Sequence, residues 1–292
     1  MNRQVILITG ASAGLGLEIA RRVISTAQYL VVLTARPNSM SRFASVGIVE
    51  NENILLRPLD ITSADMRTDL IAELNKKYGG VDVLINNAGF TFRAVVEDVA
   101  EEDRLLQMNT NFRSPMELIR LCLPSMRNKR NGKIINISSV GGQMAMPTMA
   151  VYSASKHALE GATESLWYEL RPWNIKVTLV QPGFINSKGF EKVRKTDLSN
   201  ASAQEVNSSY YQHYKNMESF IERVMKLTPS TSSTVANKVL KVIQANNPPL
   251  RVAGTWDAVF FKLMRRLLPQ RIYHGMLYKF LPNINKWGPR EK

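Results

Sequence analysis

Apolar runs and amphipathic stretches alternate along the first two-thirds of the chain. QVILIT (4–9) is a continuous apolar run, read as a buried strand. LGLEIARRVIS (15–25) repeats apolar positions at Leu17, Ala20 and Ile24, the spacing of a helix. YLVVLTA (29–35) predicts a second strand, and ILLRPLDIT (54–62) a short third one running into a loop. SADMRTDLIAELNKKYG (63–79) opens on a serine cap and stops at Gly79, which marks a helix. VDVLINNAG (81–89) predicts a strand ending in a loop. A long helix follows from about Glu101 to Met126, and then the strand GKIINISS (132–139). A helix from about Tyr152 to Leu170 and the strand IKVTLVQPG (175–183), broken at Pro182, complete the regular part. Strands alternating with helices imply right-handed βαβ units. The expectation is an α/β fold: a doubly wound parallel sheet with helices on both faces and a ligand site at the carboxyl ends of its strands.

Beyond Pro182 the alternation weakens. Residues 186–204 are polar, 205–227 read as a helix, and 229–249 as a helix capped by Thr234 or a neighbouring serine. No repeat and no linker divides the chain. Its 292 residues are therefore expected to form one domain over 1–250, with a C-terminal extension over 251–292. Composition is ordinary for a globular protein, with 45% hydrophobic and 21% charged residues. Cys122 is the only cysteine, so no intrachain disulfide can form, which fits a cytoplasmic location. His157, His213 and His274 are widely separated and match no metal-ligand spacing, so no metal site is expected.

TGASAGLG (9–16) lies between the first strand and the first helix, with glycines at 10, 14 and 16. The spacing is not GxGxxG, but the physics is shared. Gly10 permits a tight turn, Gly14 and Gly16 let the backbone approach a pyrophosphate, and the helix N-terminus offers amide donors. At the end of the second strand an acid would hold a ribose diol. Here Ala35 takes that place and Arg36 follows, a guanidinium suited to a 2′-phosphate. That favours NADP(H) over NAD(H).

Tyr152 and Lys156 are one helical turn apart, so a phenol and an ammonium share a helix face. With TGASAGLG, Asp60 in PLDIT, NNAG (86–89), Asn111, Ser139 and PGFINS (182–187) they stand in an order that resembles the short-chain dehydrogenase/reductase family, over residues 5 to about 190. The resemblance implies about seven parallel strands and a nicotinamide cofactor. It selects Ser139 over Ser138, because the family's serine lies 13 residues before its tyrosine. It selects Asn111 over Asn109, because the asparagine lies 13 residues before Pro124. It implies a catalytic set of Asn111, Ser139, Tyr152 and Lys156. It further implies that the cofactor touches Gly10, Ser12, Ala13, Gly14, Leu15, Gly16, Arg36, Asp60, Ile61, Asn87, Ala88, Gly89, Tyr152, Lys156, Pro182, Gly183, Ile185 and Ser187. Ser187 stands where the family often has threonine, and it keeps the hydroxyl.

The implied reaction moves hydride between the nicotinamide and a carbonyl or alcohol carbon. Tyr152 exchanges the proton, Lys156 lowers the phenol pKa and holds the ribose, Ser139 bonds the substrate oxygen, and Asn111 holds a water that links Lys156 to solvent. Substrate contacts are expected at Ser139, Met144, Tyr152 and Phe184, under a lid formed by 186–227 that carries Phe190, Tyr210, Tyr211, Tyr214, Met217 and Phe220. Met144, Met146 and Met149 add adaptable apolar surface. SVGG, ALEG and the long C-terminus resemble the hydroxysteroid and retinol dehydrogenase branch, which implies a steroid, retinoid or long-chain substrate. The alternatives are a ketoreductase of small or acyl carbonyls and a non-catalytic nucleotide sensor or scaffold on the same fold.

The net charge is +14, and half of it sits in 251–292, where nine Lys/Arg face only Asp257 and Glu291. In 255–282, Trp256, Val259, Phe260, Leu263, Met264 and Leu267 share one helix face, with Lys262, Arg265 and Arg266 on the other side. That pattern suits an anionic membrane surface, which would make the protein peripheral on the cytosolic side. No recognition motif accompanies the charge, so nucleic acid is not an expected partner. The resemblance implies a homodimer or homotetramer.

Overall fold

A computed structural model describes residues 3–186 and 193–288. The elements run in chain order as β1 (Gln4–Ile8), α1 (Gly14–Ile24), β2 (Tyr29–Ala35), α2 (Ser41–Ser45), β3 (Ile54–Pro58), α3 (Ala64–Tyr78), β4 (Val83–Asn86), α4 (Glu101–Met108), α5 (Ser114–Lys129), β5 (Gly132–Ile137), α6 (Ala150–Leu170) and β6 (Ile175–Gln181). After the undescribed stretch come α7 (Asp197–Gln204), α8 (Tyr211–Leu227), α9 (Ser232–Gln244), β7 (Arg251–Ala253), α10 (Trp256–Leu267) and α11 (Gln270–Phe280).

The seven strands form one parallel sheet in the order β3-β2-β1-β4-β5-β6-β7. Both faces are buried, which is why the strands read as unbroken apolar runs. Ile6 and Ile8 point to a core shared with α1, Phe43 and α9, whereas Val5 and Leu7 point to one shared with α3, α5 and α6. The order reverses between β1 and β4, and a crevice opens at the carboxyl ends there.

The predicted long helix is two helices, α4 and α5, joined by a wider turn of i→i+5 type over 109–113. Asn111, in that turn, is buried. Ser63 caps α3 by accepting the Met66 N–H at 3.3 Å, and Gly79 ends it in the left-handed region at φ 74°. Three expectations change. The cap of α9 is Thr231, whose Oγ1 accepts the Thr234 N–H at 3.2 Å, so the helix starts earlier than Thr234 would allow. The helix read over 205–227 begins only at Tyr211. A separate helix, α7, precedes it because Thr196 and Ser199 form a reciprocal capping box. β7 starts at residue 251, so the sheet extends past the expected boundary at 250. A three-residue strand carries too little periodicity to be read.

β7 is tied down by charge. Glu160 of α6, 6% exposed, accepts Gln181 Nε2 with both oxygens (2.9 and 3.0 Å) and Arg251 Nε at 3.1 Å. Arg251 also reaches Glu164 at 2.7 Å. Removing the cation would leave a buried carboxylate with one neutral donor. Arg251→Ala should therefore cost about 2 kcal/mol and lower the thermal midpoint by roughly 5 °C in a calorimetric melt, and an unchanged midpoint would show that the network contributes nothing.

Candidate active site

The glycine loop is held in place from β4. Asn87 Nδ2 donates to the carbonyls of Thr9 (2.9 Å) and Gly10 (3.1 Å), while Thr9 Oγ1 accepts the N–H groups of Asn87 and Ala88 at 3.0 and 3.1 Å. The loop folds back so tightly that a Cβ on Gly16 would lie 2.2 Å from the Gly10 oxygen. Ala13 precedes α1 with an extended backbone and no side-chain cap, so the first amides of the helix face the crevice without a side-chain acceptor.

A cleft of about 610 Å³ runs over these strand ends. Its walls include the expected Gly10, Ser12, Ala13, Leu15, Gly16, Arg36, Asp60, Ile61, Asn87, Ala88, Gly89, Tyr152, Lys156, Pro182, Gly183 and Ile185. Gly14 is not on the wall, and Ser187 lies outside the described residues. Beside Arg36 the wall gains Ser39, from the turn over 37–39, and Arg42 of α2. Among the described residues neither arginine has an acid within ion-pair distance. Two unpaired guanidiniums next to Ala35 form a site for a dianion, where an acid would have served a ribose diol. Arg42 went unread in the sequence; its only signal was a second arginine six positions after the first. Asp60 is partly engaged, since its Oδ1 accepts both the N–H and the hydroxyl of Thr62 (2.9 and 2.6 Å).

β5 and α6 supply the chemistry. Asn86, Asn136 and Thr163 form a buried hydrogen-bonded row at 2.9 Å per step, which fixes α6 against the strand ends. Lys156, 7% exposed, donates from Nζ to the Ile137 carbonyl at 2.9 Å, and that nitrogen lies 5.9 Å from the centre of the Tyr152 ring. Burial pushes Lys156 down to about 8, opposed by the Glu160 carboxylate one turn further on. Burial also pushes the Tyr152 phenol above its usual value, and a hydrogen bond from Ser139 works against that shift. Burial is the larger influence on the phenol, and Ser139 the opposing one. The ammonium is turned to Ile137, and desolvation prevails.

Ser139 Oγ accepts the Gly141 N–H at 3.0 Å. Both Ser138 and Ser139 touch the cleft, but only Ser139 also reaches the neighbouring pocket, while Ser138 Oγ is buried without a partner. Asn111 does not line the cleft. It accepts the Phe90 N–H (3.1 Å) and donates to the Phe90 carbonyl (2.9 Å) and to Ser155 Oγ (3.0 Å); Ser155 in turn donates to the Tyr152 carbonyl (2.7 Å). Its amide joins the Gly89–Phe90 loop to the helix turn that carries Tyr152. The Asn109 side chain accepts the Ser114 hydroxyl at 3.4 Å.

A second pocket, of about 300 Å³, joins the cleft, and the two share Thr91, Ser139, Tyr152, Gly183 and Ile185. Met146, Met149, Phe184, Ile221 and Met225 make it largely apolar, and Arg93 borders it. Met144, expected at the substrate, is instead buried with its sulfur 3.5 Å from the Tyr273 hydroxyl. The tight turn over 140–142 aims it inward, leaving Met146 and Met149 on the wall. The tyrosines expected over a ligand also point elsewhere. Tyr214 donates to Asp98 (2.6 Å) and accepts the Val95 N–H (3.0 Å), Tyr210 bonds Glu97, and none of Tyr210, Tyr211 and Tyr214 lines the pocket. Burial and Asp98 together push the Tyr214 phenol up. Phe190 lies outside the described residues.

The sequence pattern of the family described as "short chain dehydrogenase" matches residues 4–198. A protein of Bacteroides thetaiotaomicron described as 3-ketodihydrosphingosine reductase is 35% identical over 281 residues, 96% of this chain and 98% of its own. The crystal structure of a short-chain dehydrogenase from Streptomyces avermitilis is 29% identical, with a TM-score of 0.77 over 95% of this chain and 97% of that one. A metagenomic short-chain oxidoreductase in complex with NADP is 31% identical, with a TM-score of 0.55 over 61% of this chain and 81% of that one. The chain belongs to the short-chain dehydrogenase/reductase family.

Gly16→Ala should weaken NADPH binding by roughly a hundredfold in a fluorescence titration, because the methyl group would force the loop off Asn87. Unchanged affinity would mean that the close approach does not shape the site.

Proposed function

We propose that the protein is an NADP(H)-dependent oxidoreductase that reduces the carbonyl of a lipophilic substrate, or oxidises the matching alcohol. One observation carries the reading: a cleft with two unpaired arginines meets an apolar pocket, and the shared wall holds Ser139 and Tyr152. The pyrophosphate would lie against the amides at the start of α1, the 2′-phosphate between Arg36 and Arg42, and the nicotinamide ribose near Lys156. When bound, the reduced nicotinamide supplies the hydride. Ser139 lies on the wall shared by the cleft and the pocket, where its hydroxyl would be donated to the substrate oxygen. Tyr152 would give that oxygen its proton, and the Lys156 ammonium one helical turn away would stabilise the phenolate left behind. Asn111 positions this turn of α6 through Ser155.

The methionine-rich pocket favours a long or ring-containing carbonyl, with α7 and α8 acting as its lid. A relative described as a 3-ketodihydrosphingosine reductase supports a ketone with a long chain. The reading includes a homodimer or homotetramer and, for a substrate that partitions into bilayers, a peripheral position on the cytosolic side of an anionic membrane. None of the described helices is long and apolar enough to cross one.

Tyr152→Phe should reduce NADPH oxidation across a panel of carbonyls by on the order of a thousandfold while leaving NADPH affinity intact. A variant that kept its turnover would remove Tyr152 as the proton donor. Replacing Arg36 and Arg42 by alanine should raise the NADPH Kd by about a hundredfold and leave NADH nearly unaffected; equal losses would refute the 2′-phosphate assignment.

A further inference from the structure

The C-terminal hairpin has two unlike sides. Its inner side is part of the apolar pocket's support. Thr255 Oγ1 accepts the Gly183 N–H (2.8 Å) and Asp257 Oδ2 accepts the Phe184 N–H (2.9 Å), and a Cβ on Gly183 would lie 1.8 Å from that carboxylate oxygen. Tyr273 is buried against Met144. Leu281, Ile284 and Trp287 then pack with Met217, Ile221, Met225, Met146 and Phe184, four of which (Ile221, Met225, Met146 and Phe184) line the pocket.

Among the described residues nothing covers the outer side. Trp256 (77% exposed), Phe260 (56%), Leu263 (51%) and Leu267 (67%) fall at i, i+4, i+7 and i+11, one narrow stripe along α10, with Val259 beside it. A helix packed on its own protein would turn this stripe inward; here it is Ala258 that is buried. Lys262, Arg265 and Arg266 are exposed on the same helix, and Arg271, Lys279 and Lys286 follow. Among the described residues none of these six cations has an ion-pair partner. The only acid between 255 and 288 is Asp257, and it is turned to the Gly183–Phe184 loop. A second copy docked face to face on this stripe would cover the apolar residues and leave the cations without partners. An anionic lipid surface instead complements both features, with headgroups for the cations and the acyl boundary for the aromatic stripe.

We propose that the outer face of α10 docks on an anionic membrane, with Trp256, Phe260, Leu263 and Leu267 inserted among the headgroups. Its first turn would then hold the Gly183–Phe184 loop, and so the mouth of the substrate pocket, at the bilayer surface. This deepens the lipophilic-substrate reading by giving such a substrate a route from the membrane, and the binding step can be measured without turnover. The test is co-sedimentation of the full chain with phosphatidylglycerol vesicles and with pure phosphatidylcholine vesicles. The protein should sediment with the first and not the second, and added salt should release it. The Phe260→Glu/Leu263→Glu double variant should lose binding by roughly tenfold or more, with unchanged NADPH oxidation of a water-soluble carbonyl in vesicle-free buffer. The KM for a bilayer-partitioned carbonyl should fall on adding anionic vesicles to the wild type and not to the variant. Failure to sediment, or equal binding by the variant, would overturn the proposal, as would a concentration-dependent dimer that the variant abolishes. Sedimentation without NADPH turnover on any carbonyl would leave docking standing and sink the oxidoreductase reading instead.

Discussion

The joint between Asn87 and the glycine loop is the constraint on which the site rests. One side-chain amide bonds two successive carbonyls, and the Thr9 hydroxyl accepts two successive amides in return. These bonds bridge β1 and β4, the pair between which the strand order reverses, so the crevice has a fixed floor. Gly16 is needed because the returning helix comes within bonding distance of that floor. Without the joint, the amides of α1 would have no defined direction, and the rest of the cleft would have nothing to be placed against.

Around that floor the electrostatics follow from burial. Lys156 is carried into the interior by a helix whose position is set by the Asn86–Asn136–Thr163 row, and it finds a carbonyl and a distant carboxylate in place of water. The same burial pushes the Tyr152 phenol above its usual value, and the Ser139 hydroxyl beside it works the other way. Glu160 belongs to the same balance: it opposes the fall in the Lys156 pKa and at the same time joins α6 to the ends of β6 and β7.

The extension beyond the sheet is bound into this arrangement. Its first turn holds the backbone of Gly183 and Phe184, and its last residues pack on α8, so the support of the pocket wall and the exposed apolar stripe with its cations belong to one continuous segment. The outer face of α10 has a short covalent and hydrogen-bonded path to the Gly183–Phe184 loop.

Local pattern decided a good deal by itself. The strands β1, β2, β5 and β6, the Ser63 cap, the glycine loop and the Tyr152–Lys156 pair all depend on residues a few positions apart, where spacing and geometry are equivalent. The amphipathic split of α10 was legible for the same reason. The tertiary structure decided whatever depends on which distant group lies opposite. It put Arg42 on the same cleft wall as Arg36, brought Ser139 and not Ser138 to the second pocket, and turned Met144 inward while leaving Met146 and Met149 on the wall. It sent Tyr214 to Asp98, 116 positions away, and made a strand of three residues that only β6 could recruit. It also enclosed the Tyr152 phenol in protein, and that burial pushes its pKa up. Sequence spacing reports how close two groups can come, but it does not report how much water is left around them, and here desolvation is the larger effect.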